Sequence, residues 1–260
     1  MFADLIDELA ADQAPNGTLH LFGGPFFRQS GQRFDVPEGS KRLLVLVALR
    51  KGRIERRYVA GALWPVGDDD RAAGNLRSAL WRLNKVGIDI IEADKNCLSL
   101  KRGVAIDVSL VNSWAGRLIV GKPTPCDLDV LPESIDGLDL LPGWYDDWIT
   151  LERESVRQRV LHGLEALVGH LIARGRFAEA IAASMIAVCA EPLRETAQRA
   201  LIQAHLAEGN WCEAYKAYQR YRRLLWDEMQ IHPSPALRGL LGHPDDQHLA
   251  MSSAAISETG

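Results

Sequence analysis

The 260-residue chain is 47% hydrophobic and 25% charged, with a formal net charge of −4, a composition that excludes collagenous, low-complexity and disulfide-rich classes. No apolar run of about 18 residues and no basic leader occur, so neither a membrane span nor a secretory signal is expected and a cytoplasmic location is. Cys97, Cys126, Cys189 and Cys212 show no CxxC or Cys/His ligand spacing, which predicts buried free thiols and no metal site.

The charge is unevenly placed. Residues 1–18 hold four acids and no base; residues 19–102 hold sixteen Lys and Arg against nine Asp and Glu, a net of +7; residues 103–260 hold fourteen against twenty-one, a net of −7. A basic segment joined to an acidic one points to nucleic acid as the partner of the first.

In chain order, residues 1–18 read as a flexible arm. Three short alternating segments follow, Thr18–Phe22, Phe26–Gln29 and Arg33–Val36, separated by Gly-rich turns, and predict a small antiparallel sheet with Leu19, Leu21, Phe27, Phe34 and Val36 inward. Ser40 is the expected N-cap of a first helix, Lys41 to about Arg50, with Leu43, Leu44, Leu46, Val47 and Leu49 buried. A second helix, about Glu55–Leu63, buries Tyr58, Val59 and Leu63 and stops at Trp64-Pro65. The third, residues 70–87, gathers Leu76, Ala79, Leu80, Leu83 and Val86 on one arc. Its opposite arc carries Arg71, Gly74, Arg77, Ser78, Trp81, Arg82 and Lys85 and no carboxylate. Solvated faces usually interleave the two signs, so a one-sign face suits a polyanion. A hairpin, Asp89–Ile91 with Cys97–Leu100, closes the array before Lys101 and Arg102. Sheet, three helices and hairpin make the order of a winged helix-turn-helix over residues 19–102, in which the third helix enters the major groove of double-stranded DNA and the hairpin is the wing.

Residues 103–143 read as a connecting segment in which Asp107 caps a short helix through Val111, Trp114 and Leu118, before a loop rich in Pro, Asp and Gly. From residue 144 to 241 the pattern is helical. Trp148–Ala173 places apolar residues at 148, 151, 156, 160, 164, 167, 168 and 171. Gly175-Arg-Phe-Ala-Glu-Ala180 then matches Gly209-Asn-Trp-Cys-Glu-Ala214 at an offset of 34, the tetratricopeptide period. Pro192 ends the second helix of that first pair, and His232-Pro-Ser-Pro235 ends the last long helix near Met229. Residues 242–260 are polar and small, a disordered tail. The fold class is therefore an α+β winged helix-turn-helix followed by an all-α tetratricopeptide-like domain.

Leu63-Trp64-Pro65, Asn75-Leu-Arg-Ser-Ala-Leu-Trp-Arg-Leu83, and Tyr218-Gln-Arg-Tyr-Arg-Arg-Leu-Leu-Trp-Asp-Glu228 leading into Pro233-Ser-Pro-Ala-Leu237 together resemble the SARP family (Streptomyces antibiotic regulatory proteins), over roughly residues 19–241. The resemblance implies a response-regulator-type winged helix fused to a bacterial transcriptional activator domain, which binds promoter repeats and contacts RNA polymerase through its sigma or alpha subunit. It leaves a homodimer open. It also implies that loop 65–70 meets polymerase through Asp68, Asp69 and Asp70, of which one is also expected to cap the third helix. Asn84 departs from the pattern, where such proteins often carry another Arg, and no nucleotide-binding, forkhead-associated or receiver domain is recognisable.

For DNA the groove candidates are Arg77, Ser78, Trp81, Arg82 and Lys85, with Arg71 on phosphate. Trp81 has two readings, contact with a thymine methyl or sugar, or packing beneath the wing. Lys101 and Arg102 at the wing, and Lys41 and Arg42 on the first helix, are phosphate candidates or plain surface. Phe177, Trp211, Tyr215, Tyr218 and Tyr221 are expected in helix–helix seams, with a groove for a peptide, small molecule or second protomer as the other reading. No GxxxxGK[ST], HExxH or GxSxG motif is present, so neither catalytic residues nor a cofactor are expected. The competing function is a protein-interaction scaffold whose winged helix binds protein.

Overall fold

The computed structural model describes residues 6, 14–50, 52–129, 131 and 139–242. Of the expected flexible arm over 1–18, residues 6 and 14–18 are described and are held in place: Ile6 is buried and Asn16 N donates to Gly103 O at 3.0 Å. The rest of the arm, and the expected tail beyond Gly242, lie outside the described residues. The chain forms two compact units, Met1–Trp114 with Asp136–Gln158, and Ala115–Ile135 with Arg159–Gly260.

In the first unit β1 (Thr18–His20), β2 (Phe26–Gln29) and β3 (Gln32–Asp35) form the expected antiparallel meander, with Leu19 opposite Phe27 and Phe27 opposite Phe34. Leu19, Leu21, Phe27 and Val36 are buried, while Phe34 is half-buried. The sheet has a fourth strand, β7 (Ala105–Ile106), parallel to β1. Residues 139–141 also return to this sheet, Leu141 N donating to Leu21 O at 3.1 Å and Phe22 bridging Leu140. Much of the expected connecting segment is thus sheet edge and core, with Leu140 and Leu141 fully buried.

Helix α1 (Glu38–Leu49) buries Leu43 through Ala48 as an unbroken run. It starts two residues before Ser40, and Pro37 rather than Ser40 is its N-cap. β4 (Ile54–Glu55) leads into α2 (Arg56–Leu63), which buries Val59, Ala60 and Leu63. Tyr58 is not in the core as expected: it is 49% exposed, and its hydroxyl accepts from Arg50. α3 (Asp69–Lys85) packs on α1 and α2. β5 (Ile91–Ala93) and β6 (Cys97–Leu100) form the wing hairpin, and β4 joins β6 as a third strand. This is a winged helix-turn-helix.

α4 (Asp107–Ile119) buries Val111, Trp114 and Leu118. Asp107 is fully buried and does more than cap: its Oδ2 accepts from Leu21 N at 2.7 Å and Phe22 N at 3.0 Å, and its Oδ1 from Val108 N at 2.7 Å. The carboxylate pins the end of β1 to the start of α4, because backbone N–H groups leaving a strand need a partner once buried.

α5 (Pro125–Asp129) follows, then α6 (Asp147–Ile172), α7 (Phe177–Ala190), α8 (Glu195–Glu208), α9 (Trp211–Met229) and α10 (Pro235–Gly239). On α6, Leu151 is 74% exposed and Ile149 takes the buried place instead. α7 packs on α8 and α8 on α9, the expected helical repeat. Gly175 and Gly209 both adopt positive φ at the turns, as their shared offset requires. Ala180, Ala183, Ala214 and Ala217 are buried where the helices approach. Cys126, Cys189 and Cys212 are exposed, against the expectation that all four thiols are buried, and all four are free.

Candidate nucleic-acid interface

Helix α3 is held on three sides. Asp68 caps it, Oδ1 accepting from Arg71 N at 2.7 Å, and Asp69 and Asp70 add negative charge to its first turn; together these satisfy an orphan donor and favour the macrodipole. Ala72, Leu76, Ala79 and Leu83 are buried, each leucine worth about 1.5–3 kcal/mol. Leu80 is half-buried and Val86, expected in the apolar stripe, is exposed as the C-cap. Across the inner face, Ser40 Oγ donates to Ala79 O at 2.8 Å, tying α1 to the middle of α3. That bond is what Ser40 does instead of capping.

The outer face is exposed at Arg71, Arg77, Ser78, Trp81, Arg82 and Lys85. Of the two readings for Trp81, packing beneath the wing is excluded: the ring is 60% exposed, with Lys85 Nζ 4.9 Å from its centroid. Arg82 Nη1 donates to Gly39 O at 3.2 Å in the first turn of α1, one of the five donors of its exposed guanidinium. Arg77, with Arg56, Arg57 and Asp69, borders a crevice of about 120 Å³ between α2 and α3.

The flanking cations are differently placed. Lys41 pairs with Glu38 at 2.6 Å, Arg42 with Asp146, and Lys101 with Asp89 at 2.6 Å. Arg102 is exposed, and its carbonyl accepts from Asn16. Three of these four candidates therefore have carboxylate partners that a phosphate must displace. In the 65–70 loop all three acids are exposed: Asp68 is the cap, and Asp69 pairs with Arg57 at 3.0 Å.

Arg53, Arg56 and Arg57 cluster where β4 meets α2, a group the sequence motifs do not single out. Arg53 pairs with Asp94 in the wing turn, and Arg56 donates to Asp94 O at 3.2 Å. The N–H groups of Cys97 and Asn96, with Arg53 alongside, hold the Asp94 carboxyl below its usual range. The signal available in the sequence was the Arg-x-x-Arg-Arg spacing. Its partner 38 to 41 residues away was not.

A family model, bacterial transcriptional activator domain, matches residues 136–242. Regulatory protein AfsR of Streptomyces coelicolor is 28% identical over 231 residues, 84% of this chain and 23% of that protein. AfsR of Streptomyces griseus is 26% identical over 211 residues, 77% and 21% of the two. The chain is thus similar to SARP-type regulators over most of its length. It spans less than a quarter of the length of these curated relatives. Among solved structures, Mycobacterium tuberculosis EmbR, determined in complex with a low-affinity phosphopeptide, shares the fold with a TM-score of 0.63 at 19% identity, over 86% of this chain and 64% of that one. A winged helix followed by a helical repeat is the architecture this chain has. Among the described residues no helix is long and apolar enough to cross a membrane.

Proposed function

We propose that this chain is a SARP-type, sequence-specific transcriptional activator that lays α3 in the major groove of promoter DNA. The carrying observation is that α3 presents Arg71, Arg77, Ser78, Trp81, Arg82 and Lys85 outward with no acid among them, while Asp68, Ser40 and the Leu76–Leu83 stripe fix its axis. Arg77 lies at mid-helix and is assigned to base edges, where a bidentate contact to guanine discriminates by about 1–3 kcal/mol. Lys85 and Arg71, nearer the helix ends, are assigned to phosphate. Arg82, already bonded to Gly39 O, is assigned to the flanking backbone through its other donors. Arg102 and the wing turn supply further backbone contacts. Asp70 and the exposed 65–70 loop are assigned to RNA polymerase, Asp68 and Asp69 being partly committed to local bonds. Pairing of two copies on adjacent repeats follows from the repeated operators the family reads.

Gel shifts on upstream DNA test this. Arg77→Ala is expected to weaken specific binding by roughly 5- to 150-fold and relax preference at one position, the span of about 1–3 kcal/mol. Arg82→Ala is expected to weaken specific and non-specific DNA alike. Full affinity and unaltered preference in both variants overturns the assignment of the α3 face.

A further inference from the structure

The helical unit carries a second charged surface. Helical repeat arrays end in a polar outer face, but α9 does not. Trp211, Tyr215, Tyr218, Arg222, Trp226 and Met229 fall within an arc of about 80° on it. Tyr218 is buried, whereas Trp211 and Tyr215, expected in a seam, are 38% and 42% exposed and stack at 5.2 Å between centroids. Trp226 and Met229 are exposed too, and His232 stacks on Trp226 at 4.9 Å. Between α9 and residues 232–242 this face opens into a groove of about 410 Å³, with Tyr215, Tyr218, Arg222, His232 and Arg238 among its walls and no carboxylate among the described residues. Elsewhere in the unit Arg117 pairs with Asp127, Arg176 with Asp129 and Glu179, and Arg194 with Glu165. Arg222 and Arg238 are exposed, and neither has an ion pair among the described residues.

From this juxtaposition we propose that the α9 groove is a docking site for an acidic, amphipathic peptide segment of a partner protein. Apolar side chains of the peptide lie along Trp211, Tyr215 and Trp226, and its carboxylates meet Arg222 and Arg238. The occupant has to bring negative charge, because two copies meeting face to face would set Arg222 and Arg238 against their own symmetry mates. It has to bring apolar groups as well, which a duplex backbone does not offer. The stripe runs the length of α9, about 27 Å at 1.5 Å per residue, which suits a linear segment rather than a compact ligand. The mode is that of a helix or strand laid in a groove, with aromatic and Arg anchors carrying the energy. The proposal is independent of DNA binding by α3.

Fluorescence anisotropy on the full chain tests it, with a set of 15-residue labelled peptides carrying Leu and Phe between Asp and Glu, and the same set with Asn and Gln for the acids. The acidic set is expected to bind at least tenfold more tightly than its neutral counterpart, with the preference shrinking in high salt. Arg222→Glu with Arg238→Glu raises Kd more than tenfold, and Tyr215→Ala or Trp226→Ala at least threefold. Both arginines are exposed, so melting followed by circular dichroism is expected to be unchanged. If the double reversal melts early, Arg238→Gln alone is read, with a threefold loss expected. Equal binding of acidic and neutral peptides, or indifference to the arginine changes, overturns the proposal. So does an oligonucleotide that binds tightly and is lost with the same two arginines.

Discussion

Asp107 concentrates more of the first unit's backbone bonding than any motif in the sequence suggests. Burial pushes its carboxyl up to about 7, and the N–H groups of Phe22, Leu21 and Val108 offset only part of that. Between about pH 4 and 7 the folded chain therefore holds a proton that the unfolded chain has lost, and stability falls as pH rises through that window, by up to about 1.4 kcal/mol per pH unit. Below about 4 both states are protonated and above about 7 neither is, so the contribution is flat on both sides. Urea unfolding of the whole chain at half-unit pH steps reads this directly, and Asp107→Asn, which keeps one oxygen acceptor and cannot ionise, is expected to flatten the slope. A midpoint that climbs from pH 5 to 7 because of Asp107 would reverse the sign and refute it. At the sequence level Asp107 is legible only as a helix cap. Its real partners, Leu21 and Phe22, are some 85 residues away and donate backbone N–H groups, which leave no trace in side-chain pattern.

The elements that read correctly are those whose own period decides their burial. α3 was visible because its leucines and alanines repeat every three to four residues, and its cap because Asp68 to Asp70 directly precede it. α1 starts two residues before its expected cap: a serine before an apolar run looks like a cap, yet this one spends its hydroxyl on Ala79 O of α3. The two-residue strands β4 and β7 carry no period at all, and the pairing of residues 139–141 with Leu21 is set by contacts remote in sequence. These two hydroxyl and carboxylate anchors of α3 differ in what they hold. Ser40→Ala removes a buried bond and is expected to cost about 1 kcal/mol, while Asp68→Ala loses the cap at a similar cost, about 1 kcal/mol. Because the bonds lie far apart on the helix, the double variant should sum the two within about 0.5 kcal/mol in denaturant midpoints at constant m. A coupling well beyond that would mean the cap and the Ser40 bond position α3 as one device.

At the scale of the whole chain the useful sequence signals were the 34-residue offset and the split of charge. The offset placed Gly175 with Gly209 and the buried alanines correctly, because small residues at helix crossings are a packing requirement. It misplaced Trp211 and Tyr215, since a repeat predicts which face is buried only while another repeat follows to cover it. The charge split leads to a quantitative expectation for DNA. With Arg71, Arg82, Lys85 and Arg102 all on phosphates, log affinity falls against log salt with a slope of about −3.6, four contacts at about 0.9 each. That is roughly a hundredfold loss between 50 and 200 mM salt. Lys85→Ala, acting on phosphate, is expected to shallow the slope by about 0.9, whereas Arg77→Ala, acting on a base, lowers specific affinity with a smaller change of slope. Arg222→Glu, on the acidic unit, should leave the slope as it is. Titrations of one duplex at four salt concentrations separate these outcomes. If the slope shifts with Arg222 and not with Lys85, the polyanion lies on the helical repeat, and α3 is no recognition helix.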